Sequence, residues 1–447
     1  MNIIICGAGE VGRHAAEVLG KAGHDVTIVD QSPAKLAALE EVMDVRNLLG
    51  NVTHVQTLLE AGCDHADLVI AATNVDEVNL LSASIASGLG AERTIARVHH
   101  GAYLEDRGLN YAAHLGIDHL VCPEQTTAAA IAQSLRSPGS LAVESFARGR
   151  IELQQIVVTS DSATVGKQLM QLKMPASTRL AMIERDSEAV VPDGHSIVHS
   201  GDIVTLIGDV AGIEKARQLF HSSSDKRKRI IIVGGTSMGV WLCRALHGKD
   251  FAIRLIEPDL KRAEELAGKL DWVTVLRGDP TELEVYDDER LDQCDAFVTL
   301  TSDDENNILI AARAKAEGVK MVIAVQQRST YLHLLSHVGV DRAFSPRATA
   351  VTQILSLLER GPFRKLTTLA KGVAEVFEVR VPALANGVTG RPLKDVKFPT
   401  GGMVAAIMRG EDVFVPGGLD TINPGDAVIV IAPDGAAREL RKAFGVK

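Results

Sequence analysis

Gly7, Gly9 and Gly12 stand at the spacing GxGxxG directly behind the apolar run Asn2–Cys6, and a helix-forming stretch runs on from Val11 to about Lys21. In that setting the first glycine makes a tight turn, the second lets bare amides approach a pyrophosphate, and the third lets helix pack closely on strand. Amides at the start of the helix then hold phosphate oxygens. Ala8, Glu10 and Val11 complete the loop, and Asp30 ends the next apolar run. A carboxylate there accepts hydrogen bonds from ribose hydroxyls and repels a 2′-phosphate. NAD or NADH, or an adenine nucleotide, is therefore favoured over a 2′-phosphorylated dinucleotide.

The pattern returns in the second half, where Gly234 and Gly239 answer Gly7 and Gly12, and Glu257 answers Asp30, at one common offset. Thr236 occupies the place of Gly9 and puts a Cβ and a hydroxyl where backbone should meet pyrophosphate. The second candidate set is Gly234, Gly235, Thr236, Ser237, Met238, Gly239 and Glu257. Altered nucleotide binding and an empty structural copy both stay open for it. Ligands of open α/β sheets bind at the carboxyl ends of the strands, which adds Asn51, Thr73, Asn74 and Arg97 in the first copy and Asp279 and Thr301 in the second. Arg97 suits either a phosphate contact or a surface salt bridge. Asn79 and Asn307 follow acidic helix starts and suit capping or turn roles. His99–His100 has no ligand partner at metal-binding spacing, and no metal site is expected.

The elements that must position these residues alternate between short apolar runs and amphipathic segments. In the first copy NIIIC, DVTIVD, DLVIAAT, RTIARV and HLVC read as strands, with helices over Val11–Lys21, Pro33–Val42, Val78–Gly88 and Tyr103–Leu115. Such βαβα alternation demands parallel strands covered by helices. GNVT at 50–53 is answered by GDPT at 278–281, and ATNVDEVN at 72–79 by LTSDDENN at 300–307. After each sheet comes a helical segment, then a β-rich part with GD turns at Gly201–Asp202 and Gly425–Asp426. The fold class is α/β: two tandem Rossmann-like doubly wound parallel sheets, each followed by a helical crossover and a small α+β domain. The expected boundaries are 1–122, 123–143 (crossover), 144–221, 222–228 (linker SSSDKRK), 229–345, 346–372 (crossover) and 373–447. The crossover helices are richer in apolar residues than one sheet edge requires, which leaves a subunit contact and internal packing both open.

Composition narrows the function. The chain of 447 residues is 46% hydrophobic and 23% charged, as expected of packed globular cores. A net charge of −10 disfavours nucleic acid as a partner. Five scattered cysteines without a CxxC pair suggest neither a disulfide framework nor zinc, and fit a reducing cytoplasm; Cys6 reads as a small core residue. No apolar run is long enough to span a bilayer, so a membrane role is expected to be peripheral.

GAGEVG with its acidic second-strand end, the repeated sheets, and the β-rich parts carrying PDG or PGG and GD resemble the TrkA family, cytoplasmic regulators of Trk-type potassium uptake, over essentially the whole chain. The resemblance implies regulator-of-potassium-conductance (RCK) modules in the order N, C, N, C. It implies a homotetramer whose eight nucleotide-binding modules form a gating ring under a membrane-embedded channel subunit of TrkH or TrkG type. It implies a cytoplasmic protein, peripheral on the inner face of the cell membrane, that senses NAD or NADH, with ATP or ADP as further ligands, and catalyses no reaction. Carried over by motif, Gly7, Gly9, Gly12 and Asp30 hold the nucleotide, with Gly234, Gly235, Gly239 and Glu257 as the second set. Some relatives carry arginine at the position of Glu10; the carboxylate here is expected to repel a terminal phosphate and to favour NAD(H). An NAD-dependent oxidoreductase, or a nucleotide sensor of another cation transporter or antiporter, shares these motifs.

Overall fold

A computed structural model describes the chain except residues 105–107, 137–139, 147–149, 186–187, 221–226, 249, 283–289, 329–334, 336, 359–360, 370–372, 384–386, 397, 399–401, 411 and 447. In the first copy β1 (Asn2–Cys6), α1 (Glu10–Lys21), β2 (Asp25–Asp30), α2 (Pro33–Glu40), β3 (Arg46–Leu49), α3 (Val55–Glu60), β4 (Leu68–Ala71), α4 (Asp76–Leu89), β5 (Thr94–Arg97), α5 (Tyr111–Leu115) and β6 (His119–Val121) build a parallel sheet of order β3-β2-β1-β4-β5-β6. The strand order reverses between β1 and β4, so the loops after these two strands flank one crevice. Both faces of β1 are buried, as parallel strands require: Ile3 and Ile5 join one core, Ile4 and Cys6 the other. Burial pushes the Cys6 thiol up to about 12, with Cys63 adding to the effect.

Helix α6 (Pro123–Arg136) leads to an antiparallel sheet of β7 (Ser140–Phe146), β8 (Ile151–Val157), β9 (Thr178–Arg185), β10 (Glu188–Val190) and β11 (Ile203–Asp209), in the order β10-β9-β11-β8-β7, followed by α7 (Val210–Phe220). The second copy repeats the plan. Strands β12 (Lys228–Val233), β13 (Phe251–Glu257), β14 (Val273–Arg277), β15 (Ala296–Thr299), β16 (Met321–Val325) and β17 (Arg342–Phe344) form the sheet β14-β13-β12-β15-β16-β17, with α8 (Ser237–Ala245), α9 (Leu260–Lys269) and α10 (Asp304–Ala316) between them. Then come α11 (Pro346–Leu358), the antiparallel strands β18 (Phe363–Leu369), β19 (Ala374–Arg380), β20 (Met403–Arg409), β21 (Asp412–Phe414) and β22 (Ala427–Pro433), and α12 (Ala437–Phe444).

Like parts join across the repeat. One compact unit holds Met1–Leu135 with Lys226–Leu358; the other holds Arg136–Asp225 with Glu359–Lys447. Within the first unit the crossover helices are exchanged. Ala128, Ile131, Ala132 and Leu135 of α6 pack with Leu242 of α8 and Ile230 and Ile253 of the second sheet. Ala350, Val351 and Ile354 of α11 pack with Val11, Ala15 and Leu19 of α1 in the first. Thr126 donates to Gln353 Oε1 at 3.1 Å where the two helices meet. Their apolar faces are thus spent inside the chain. Within the second unit Leu153, Met182 and Ile207 share a core with Val376, Ala405 and Ile431.

Three expectations are corrected. The crossovers expected to reach 143 and 372 end as helices at Arg136 and Leu358, and β7 and β18 begin inside them. Each helix meets a proline beside a glycine in sequence, Pro138–Gly139 and Gly361–Pro362, and proline has no amide to continue the ladder. In place of one helix over Tyr103–Leu115 there is a single tight turn at Gly101–Tyr103 and, separately, α5. Gly108 takes φ +93°, a left-handed conformation that no right-handed helix contains. The first-copy strand β3 went unseen because its four residues, RNLL, carry no clear alternation. Of the expected linker, 222–226 lies outside the described residues and Lys228 already opens β12.

Candidate nucleotide-binding site

The first glycine loop joins β1 to α1. Gly7 takes φ +111°, and its amide donates to Val29 O at 2.7 Å. A Cβ on Gly12 would lie 1.9 Å from Gly7 O, so α1 can sit this close to the loop only with bare backbone there. Gly9 differs: a Cβ on it would meet nothing nearer than Asn74 Oδ1 at 3.8 Å. It borders open space, and no side chain caps the start of α1. Asp30 braces the loop by accepting the Ala8 amide at 2.7 Å through Oδ2 and the Ser32 amide at 2.8 Å through Oδ1. Each oxygen keeps a lone pair for a further donor.

The open space is a cavity of about 380 Å³. Of the expected residues it brings together Ala8, Gly9, Glu10, Val11, Asn74 and Arg97. Sequence reasoning missed Arg13 and Lys35 of the first copy and, from the second, Gln327, Pro346 and Arg347. Gly7, Gly12, Asp30, Asn51 and Thr73 are not in the lining. Asn51 Oδ1 accepts from the amide and hydroxyl of Thr53 in a local turn, and Asp279 does the same for Thr281. Thr73 is held through its amide and hydroxyl by Asn79 Oδ1, both at 2.7 Å, while Asn79 Nδ2 donates to Thr73 O and Arg97 O. Asn307 repeats this clamp with Thr301 and Val325 O. The two asparagines are therefore buried pins that fix the strand ends around the crevice, a larger role than capping.

The electrostatics of the cavity mix both copies. Arg347 Nη1 lies 2.7 Å from Glu10 Oε2, so the Glu10 carboxylate expected to repel phosphate is already paired with a guanidinium. Burial pushes the Arg347 guanidinium down from its ordinary value, opposed by Glu10 and Asp304. Arg97 Nη2 lies 3.3 Å from Glu124 Oε1 in a pair whose side chains are only 14% and 16% exposed, so this is not a surface bridge. Arg97 Nε is a buried donor without a hydrogen-bond partner among the described residues. Beside the cavity, Asp76 accepts the His99 ring at 2.7 Å and the His99 and His100 amides. Burial raises that carboxyl, but these hydrogen bonds outweigh it and hold the group below its ordinary value. This pairing ties the histidine doublet to the start of α4; among the described residues no group of three or more His, Cys, Asp or Glu is placed to hold a metal ion.

The second loop has the same frame and a different surface. Gly234 takes φ +113°, a Cβ on Gly239 would lie 2.3 Å from Gly234 O, and Glu257 accepts the Gly235 and Asp259 amides at 2.8 and 3.0 Å. Thr236 caps α8: its Oγ1 accepts the Gly239 amide at 3.3 Å and donates to Leu300 O at 3.2 Å. Arg262 Nε donates to Gly235 O at 2.9 Å, and Leu266 crowds Gly235 so that a Cβ there would lie 2.5 Å from Cδ1. Ser237 and Met238 open α8 with Met238 buried. The start of α1 has no side-chain cap, whereas the Gly239 amide in the first turn of α8 is met by the protein's own threonine.

Residues 3–123 and 230–346 match the TrkA-N domain, and residues 153–221 and 376–445 match the TrkA-C domain. The chain belongs to the TrkA family. It is 33% identical over 441 residues to the Trk system potassium uptake protein TrkA of Vibrio alginolyticus, covering 96% of this chain and 95% of that one. It is 32% identical over 452 residues to TrkA homolog 1 of Methanosarcina mazei, covering 99% of this chain and 100% of that one. The structure of the GsuK channel bound to NAD matches with a TM-score of 0.63 at 16% identity, over 99% of this chain and 79% of that one, which establishes a shared fold. Each TrkA-N match ends at the first residue of an exchanged helix, Pro123 or Pro346, and each TrkA-C match starts after the strand that follows it. No helix among the described residues is long and apolar enough to cross a membrane.

Proposed function

We propose that this chain is the cytoplasmic nucleotide-sensing subunit of a Trk-type potassium system. It binds NAD or NADH at the first glycine loop, with ATP or ADP competing there. Four copies form a gating ring against a membrane-embedded channel subunit of TrkH or TrkG type, peripheral on the inner face of the membrane. Family membership supports the potassium system, and the names of the TrkA relatives point the same way.

The observation that carries the reading is the first crevice itself. Gly9 and the amides of Glu10 and Val11 present uncapped backbone to a cavity whose wall is closed by Gln327, Pro346 and Arg347 from the second copy. A pyrophosphate there accepts the α1 amides, Asp30 takes the ribose hydroxyls, and Asn74 and Arg97 face the phosphates. Such a ligand touches both parallel sheets at once, so its affinity depends on how they sit together, and binding shifts the population of ring shapes. No chemical step is needed. Moving a two-state ring from 1:99 to 99:1 takes about 5.5 kcal/mol of differential binding, which several modules share more easily than one.

The test is nucleotide titration of the full chain combined with potassium flux through the reconstituted complex. Gly9→Val puts branched carbons into the phosphate space without touching neighbouring backbone, and Asp30→Ala removes the ribose acceptor. Each is expected to weaken NAD binding at least about tenfold and to abolish the nucleotide effect on flux. Unchanged binding and flux in both variants would refute the assignment.

A further inference from the structure

Arg347 belongs to the second copy, yet it is spent on the first site. It starts α11, the helix that packs on the first sheet, and its guanidinium reaches Glu10 at the mouth of α1. Its counterpart in the first copy, Glu124, carries the opposite charge and pairs with Arg97, while the counterpart of Glu10 is the uncharged Ser237. The charge arrangement therefore exists once per chain. From the geometry we infer that Arg347 is a phosphate-binding residue of the first site, supplied by the second copy, with Glu10 as a resident counter-ion that an unesterified terminal phosphate displaces. The inference rests on the nucleotide reading above and names the ligand class it would single out: a nucleoside diphosphate or triphosphate, as against a dinucleotide whose pyrophosphate is esterified at both ends.

Three observations support the exchange of partners. Glu10 is 60% exposed and Arg347 only 23%, so the carboxylate is the member that can turn to water at little cost. Arg97, on the same cavity, keeps a buried Nε donor without a partner among the described residues, so its guanidinium is not fully spent on Glu124. The other carboxylate near Arg347, Asp304, is already engaged by the Gln327 and Arg328 amides at 2.7 and 2.8 Å. Glu10 is thus the group that a phosphate must replace. Because Arg347 rides on α11, its transfer from Glu10 to the ligand links the nucleotide to the exchanged helix.

The experiment is calorimetric titration of the full chain with ADP and with NAD, for the unaltered protein, Arg347→Gln, Glu10→Gln and Arg347→Lys. Arg347→Gln should weaken ADP about tenfold or more and NAD less than about threefold. Glu10→Gln, which frees the guanidinium, should tighten ADP about threefold or more, and Arg347→Lys should recover part of the loss. An ion pair that only holds the fold makes both Gln variants shift in the same direction; opposite signs are the signature of a phosphate ligand. Equal effects on ADP and NAD, no effect of Arg347→Gln, or no tightening in Glu10→Gln at an unchanged melting temperature would overturn the inference and leave the nucleotide reading standing. If the unaltered chain binds neither nucleotide, the reading falls, and this inference with it.

Discussion

Thr236 Oγ1 takes the Gly239 amide at 3.3 Å at the place where Gly9 leaves the start of α1 without a side-chain cap. The two positions have nearly the same extended backbone, ψ 169° at Thr236 and −177° at Gly9, so the difference lies in the side chain. One nucleotide per chain is expected, since in the second loop Thr236 already caps α8 and Arg262 already bonds Gly235 O. Gly9→Thr should transplant the cap: folding is kept, because a Cβ there meets only Asn74 Oδ1 at 3.8 Å, and nucleotide binding is lost. Calorimetric stoichiometry and the melting temperature of the variant check both halves; two sites per unaltered chain would contradict the first.

Gly12 is expected to tolerate no side chain at all. A Cβ at 1.9 Å from Gly7 O meets backbone, which cannot rotate away as a side chain could. Gly12→Ala must push α1 off the sheet or distort the loop, at a cost of about 3 kcal/mol or more. Gly239→Ala, at 2.3 Å from Gly234 O, should behave alike. Denaturant midpoints of both variants test this, and for Gly12→Ala loss of nucleotide binding should accompany loss of stability, whereas Gly9→Thr loses binding alone.

The contrast shows what was legible in the sequence. Glycine spacing, acidic strand ends and the repeat itself are local patterns, and the sheets and loops follow from them, whereas the hold of Asp30 on the Ala8 amide does not. The exchange of α6 and α11 was not legible, because apolar spacing says that a helix has a face to bury and not which of two equivalent sheets receives it. For the same reason Arg347 and Gln327 could not be assigned to a site far from them in sequence. In sequence Asn79 suits a capping or turn role, because a single buried amide that pins three segments looks there like any helix-start asparagine. The nearest signal was the reversal of charge between Glu124 and Arg347 in otherwise matching helices.

The exchange makes a prediction about distance. Ile131 is fully buried among residues of the second sheet although it lies in the first half of the chain. Ile131→Ala should cost about 2–5 kcal/mol and should speed amide exchange first in β12 and β13, not in β1 and β2. Ile354→Ala should do the reverse. Hydrogen-exchange mass spectrometry of the two variants reads this directly, and protection lost in each residue's own sheet would refute the exchanged packing.

A last prediction concerns acid. Asp202, 1% exposed, is gripped by Arg185 at 2.7 and 2.8 Å and accepts the His199 amide at 2.7 Å, and Asp426 repeats the arrangement with Arg409 and Asn423. Burial raises the Asp202 carboxyl, but the Arg185 and His199 hydrogen bonds more than reverse this and hold it below its ordinary value. With the folded value depressed, the carboxylate stabilises the fold fully above the unfolded carboxylate range, about pH 4, and loses that contribution as pH falls through the folded value. Asp202→Asn should therefore lower stability at neutral pH by about 1–3 kcal/mol and flatten the acid limb of the stability curve. Urea midpoints at neutral and acid pH, with exchange followed in β9 and β11, test the sign; a variant that loses as much stability at acid pH as at neutral pH would show that the charge of Asp202 is not what the turn depends on.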